Sequence, residues 1–135
     1  MVQQLPLVRE QFVLAGRALL TLTDADAGHD VPVMLAPFLG SGSTLRAFSN
    51  RRFADRNRVL LTGEYRWRPS RYLDMAIFMD AGQVAAERRQ LELKQFDVDV
   101  GIGARFHGPA FNALRVEISH GREGLRLTFA GSQPF

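Results

Sequence analysis

The sequence predicts an all-β chain: an antiparallel meander of about six strands forming part of a transmembrane β-barrel, with one long inserted loop. Three observations predict this class. Apolar and polar residues alternate with period two along most of the 135 residues. Strands separate such residues onto two faces, whereas a helix mixes them. The apolar rows reach about five residues on several strands, close to a bilayer's thickness, since a membrane strand needs ~9–11 residues with every second one apolar. The opposite rows mix charges with Ala76, Phe78, Gly101 and Gly103, as a crowded barrel interior does. A soluble antiparallel sheet packed on a core shows the same alternation and is the alternative.

Each strand follows from its parity. The first spans 10–23, with Phe12, Leu14, Gly16, Ala18, Leu20 and Leu22 opposing Gln11, Val13, Ala15, Arg17, Leu19 and Thr21. This stretch loosely imitates a signal peptide ahead of Ala25-Asp26-Ala27, but Glu10 and Arg17 interrupt it and it alternates. In 58–69, Val59, Leu61, Gly63, Tyr65 and Trp67 oppose Leu60, Thr62, Glu64, Arg66 and Arg68. In 72–83, Leu73, Met75, Ile77, Met79 and Ala81 oppose a row holding Asp74, Ala76, Phe78, Asp80 and Gly82. Strand 97–107 sets Val98, Val100, Ile102, Ala104 and Phe106 against Asp97, Asp99, Gly101, Gly103, Arg105 and His107. Strand 112–120 sets Leu114, Val116 and Ile118 against Arg115, Glu117 and Ser119. The last, 124–131, presents Leu125, Leu127 and Phe129 as the apolar row of a terminal seam, and the sequence ends at Phe135.

The connections sort the two ends. Residues 24–57 form the long loop and 84–96 a medium polar one, whereas Pro69-Ser70-Arg71, Gly108-Pro109-Ala110 and Gly121-Arg122-Glu123 are short. Outer-membrane barrels keep short turns on the periplasmic side and longer loops outside. The two proline turns are therefore expected to be periplasmic. Tyr65, Trp67, Tyr72, Phe106 and Phe111 lie beside them, where an interfacial aromatic girdle belongs.

Composition excludes several classes. The net charge is +3, from sixteen arginines and a single lysine, Lys94. The arginines are spread along the chain rather than gathered on one face, which argues against nucleic-acid binding. No cysteine is present, which removes disulfides, thiol catalysis and cysteine metal sites. His29, His107 and His120 lack metal-ligand spacing. Gly40-Ser41-Gly42-Ser43 is not a nucleophile elbow, and Gly101-Ile102-Gly103 has no helix after it. Glu64 and Asp80 could be a hydrolytic carboxylate pair, but no aromatic sugar platform accompanies them. The chain therefore reads as a non-enzyme with no cofactor and no metal. Arg105, Arg115 and Arg126 share the inward face and read as solvated lumen charges, with an anion-attracting path as the sharper option.

The long loop holds the residues that carry a resemblance. Leu45-Arg46-Ala47-Phe48 resembles the Val/Leu-Arg-Gly-Phe/Tyr motif of the BamA/TamA outer-membrane assembly-factor family, also called the bacterial surface antigen family. Phe78-Met79-Asp80-Ala81-Gly82 resembles that family's Phe-x-Asp-x-Gly strand motif, and Glu64-Tyr65-Arg66 its intervening strand with an inward glutamate. The likeness runs from about Leu35 to Phe135. By parity alone, Glu64 and Asp80 both face inward on adjacent strands, so a cation between them is favourable. Arg46 at a folded-in loop tip could supply a bidentate guanidinium. The resemblance implies that Arg46, with Phe48, latches the loop against Glu64 and Asp80, and Gly82 allows close approach nearby. The family usually has glycine where this chain has Ala47. If that position requires positive φ, alanine is strained there.

Six strands are too few to close a membrane barrel, so residues 1–135 are expected to be the C-terminal fragment of an outer-membrane barrel domain. The resemblance implies a role in inserting or translocating proteins at the bacterial outer membrane. The expected partners are outer-membrane lipid, unfolded outer-membrane client proteins and the remainder of the barrel. The alternative is the membrane anchor or export pore of a fused enzyme such as a patatin-like lipase.

Overall fold

The computed structural model describes residues 2–7, 12–23, 36–92, 95–107 and 114–131. Seven strands make the main sheet: β1 (Val2–Leu7), β2 (Phe12–Thr21), β5 (Asn57–Ser70), β6 (Leu73–Ala85), β7 (Asp97–Phe106), β8 (Leu114–Gly121) and β9 (Gly124–Gly131). A two-stranded ribbon, β3 (Phe38–Leu39) with β4 (Phe53–Ala54), lies inside the long loop. The main sheet runs in the order β1-β2-β5-β6-β7-β8-β9, every neighbouring pair antiparallel. The chain is thus an antiparallel meander, and the described residues contain no α-helix, only a single 3-10 turn at Arg88–Gln90.

One strand exceeds the six that alternation predicts. β1 pairs Val2 with Arg17 through Leu7 with Phe12. Its sequence, VQQLPL, does not alternate and contains Pro6. A proline lacks the ladder donor and is tolerated on an edge strand, which is where β1 lies. A second irregularity comes at Pro69, where the β5–β6 register shifts between Trp67 and Ser70. The turn expected at Gly108-Pro109-Ala110, as well as Phe111 and Phe135, lies outside the described residues.

The two faces of the sheet differ sharply. Leu14, Leu20, Leu61, Ile77, Met79, Val98, Val100, Ile102, Ile118, Leu125, Leu127 and Phe129 are all exposed and share one face across six strands. Near the β5–β6 turn, Tyr65 stacks between Phe12 and Trp67, with ring centroids 6.2 and 5.9 Å away. Exposed Tyr72 and Phe106 are at the same end. On the other face lie buried Asp80, Asp99, Glu117 and Ser119. Polar residues are as numerous as apolar ones among the buried positions. Soluble domains bury apolar groups and seldom leave large contiguous apolar patches in water; here an extended apolar face is exposed while half of the buried positions are polar.

The apolar core is small and sits between the inner face and the loop. Leu39, Leu45, Ala47, Phe48 and Leu60 form it, with Leu19, Phe53 and Val84 packed around them. The loop has a stem, where Phe38 pairs with Ala54 and Leu39 with Phe53. Its tip is tied by Arg51 N–H donating to Gly40 O at 2.8 Å and by a hydroxyl contact between Ser41 and Thr44 at 3.0 Å.

Candidate functional site

Six strands hold the loop tip from below and from the sides. Arg17 of β2 donates to Ser43 O at 3.2 Å, Arg115 of β8 to Gly42 O at 3.5 Å, and Arg126 of β9 to Phe48 O at 2.8 Å. Asp99 of β7 accepts the Ala47 amide at 3.1 Å. Glu64 of β5 and Asp80 of β6 reach the tip through Arg46. Neighbouring strands are ~4.8 Å apart, so a flat sheet would spread these six strands over more than ~20 Å. One short loop tip meets them all only because the sheet curls around it.

Arg46 occupies the centre of this arrangement. Its guanidinium lies 2.8 Å from Glu64, 3.0 Å from Asp80 and 3.3 Å from Glu117. The same group sits over the Phe78 ring, its Cζ 3.7 Å from the centroid. Arg46 is only 8% exposed and Asp80 fully buried. Burial works against the Arg46 charge, but Asp80, then Glu64 and Glu117, outweigh it and hold the guanidinium above its ordinary pKa. The acids are shared with other cations: Arg66 pairs with Glu64, and Arg115 approaches Glu117 at 3.7 Å. A planar guanidinium presents five donors in a fixed fork, so one side chain can serve several carboxylates at once.

The register explains the convergence. Glu64 stands opposite Phe78, Phe78 opposite Gly101, and Gly101 opposite Ser119. One row further, Thr62, Asp80, Asp99 and Gly121 are cross-strand partners. Gly101 is needed where it is: a methyl there would come within 2.4 Å of the Phe78 ring and 2.5 Å of Ile118 O. The bare glycine lets the ring lie across β7 and become the floor under Arg46.

The structure brings Arg46, Glu64 and Asp80 together, and Phe48 is fully buried beside them, edge-to-face with Phe53 at 5.2 Å. Gly82 makes its close approach to the loop stem rather than to Arg46. A methyl there would meet Leu39 at 2.8 Å and Val59 O at 3.1 Å. Ala47 does not have positive φ; among the described residues, Arg51 is the non-glycine residue that does. The strain considered for Ala47 is therefore absent. Leu125, Leu127 and Phe129 form the exposed apolar row of edge strand β9. Sequence reasoning did not single out Asp99, Glu117, Phe78 or Gly101 for the site. Their inward parity was readable; their distance from the loop tip was not.

Together the fold and site define a class: an antiparallel β-wall, apolar on one face and charged on the other, with a loop clasped on the charged face around a central arginine. No protein-family model matches the chain, and no curated protein matches it in sequence.

Proposed function

We propose that this chain is a wall segment of a bacterial outer-membrane β-barrel of the BamA/TamA type, acting in the insertion or translocation of proteins. The observation that carries this reading is Arg46, held inside the sheet by Glu64, Asp80 and Glu117 while the opposite face presents a broad apolar surface interrupted by His120. That is the arrangement the loop and strand motifs imply together. Lipid satisfies the apolar face, and the latched loop keeps the inner wall in one shape. The flank at β9 is an edge with a free backbone row among the described residues. Client strands would be received there by edge pairing.

Two measurements test it. The protein should remain with the outer membrane after a high-salt wash and be released by detergent. Depleting it should lower the folded level of one or more other outer-membrane proteins. Recovery in the salt-washed soluble fraction sinks the membrane reading. Membrane residence with unchanged levels of every other outer-membrane protein sinks the assembly role.

A further inference from the structure

Beneath the loop tip, toward the β5–β6 turn, the inner face bounds an open-sided cavity of about 250 Å³. This is smaller than the ~300–1,000 Å³ of drug-sized pockets and suits a small ligand. Its wall includes Arg66, Arg68, Arg105 and Arg115, with Glu64, Asp74 and Glu117 as the acids.

The acids are already engaged. Glu64 meets Arg46 and Arg66. Glu117 meets Arg46 and Arg115. Asp74 meets Arg68 and His107, each at 2.7 Å. Arg105 stands opposite Asp74 on one side and Arg115 on the other. It nevertheless has no carboxylate partner among the described residues. Two like charges directly opposite on neighbouring strands destabilise a sheet. Here Arg105 and Arg115 take that arrangement at the wall of a cavity, and an anion between them would reverse its sign. Guanidinium pairs bind phosphate and carboxylate oxygens in forked geometry.

We propose that this cavity is an oxyanion-binding site, in which Arg105 and Arg115 together grip a phosphate group. The group could belong to a lipid headgroup or to a soluble phosphate ester; the recognition chemistry is the same. The site requires only the concave inner face and is independent of the assembly role.

The test is calorimetric titration of the full chain, folded in dodecyl maltoside, with inorganic phosphate at constant ionic strength. A saturable heat is expected with phosphate and none with chloride. Arg105→Gln should weaken binding tenfold or more. Since Arg105 has no ion pair to lose, the folded chain should survive the change, and far-UV circular dichroism checks this. Arg115→Gln should act likewise, while Arg89→Gln, outside the cavity, should leave affinity unchanged. Micelles doped with phosphatidic acid separate the sources. Competition with inorganic phosphate assigns the site to a lipid headgroup, and its absence assigns the site to a soluble ester. No saturable phosphate heat, or equal affinity in folded Arg105→Gln, would overturn the proposal.

Discussion

An Arg46→Ala substitution leaves Glu64, Asp80 and Glu117 facing one another with the shared cation gone. Breaking a buried ion pair from one side typically costs about 3–5 kcal/mol. A loss of that size is expected in urea unfolding of the detergent-folded chain. Asp80→Ala alone should cost less, because Arg46 keeps two acids. A double-mutant cycle between Arg46 and Asp80 should show coupling of about 0.5–3 kcal/mol; a coupling near zero would contradict the latch. Gly101→Ala tests the floor. The added methyl must displace both the Phe78 ring and the Ile118 carbonyl oxygen, and overpacking of this kind costs about 1–3 kcal/mol. Unchanged stability would mean that neither contact is as tight as the structure has it. Arg46, Glu64 and Asp80 were legible in sequence because strand parity turns both acids inward and the loop motif supplies the cation. Asp99 and Glu117 share that parity, but only register and curvature bring them to the tip.

The strands were legible as elements because their period is long enough to see. Residues 97–107 became Asp97–Phe106, 58–69 became Asn57–Ser70, and 124–131 became Gly124–Gly131. The two-residue strands β3 and β4 are too short to have a period, so the ordered stem of the loop was invisible. The outer faces of these strands carry a depth-dependent prediction. Ile102 lies mid-strand in β7, whereas Leu125 adjoins the β8–β9 turn. In a bilayer, an outward arginine costs about 2–4 kcal/mol at the midplane and about 0–1 near the interface. Ile102→Arg should therefore destabilise the bilayer-folded chain far more than Leu125→Arg. Equal, small effects at both positions, measured by unfolding in lipid vesicles, would argue for an aqueous outer face.

At the scale of the molecule, the exposed apolar face makes solvent part of the fold. The small core under the loop cannot offset an apolar outer face left in water. The chain should aggregate in plain buffer and acquire a strand-type circular dichroism spectrum in dodecyl maltoside. A monomeric, folded chain in buffer would refute this. Fold class was legible in sequence, since alternation alone reports two-faced strands. The number of strands was not, because β1 hides its pairing behind Gln3-Gln4 and Pro6. That short strand has a consequence for any closed ring built on this sheet. Direction reverses at every step across β1-β2-β5-β6-β7-β8-β9, so the first and last of the seven point the same way. A ring whose neighbours are all antiparallel must contain an even number of strands. Whatever completes this wall with antiparallel seams on both flanks therefore contributes an odd number of strands. A second identical set of seven, turned about the membrane normal, would meet β9 with β1 in parallel and break the rule. Had the wall begun at β2, the same rule would have demanded an even complement.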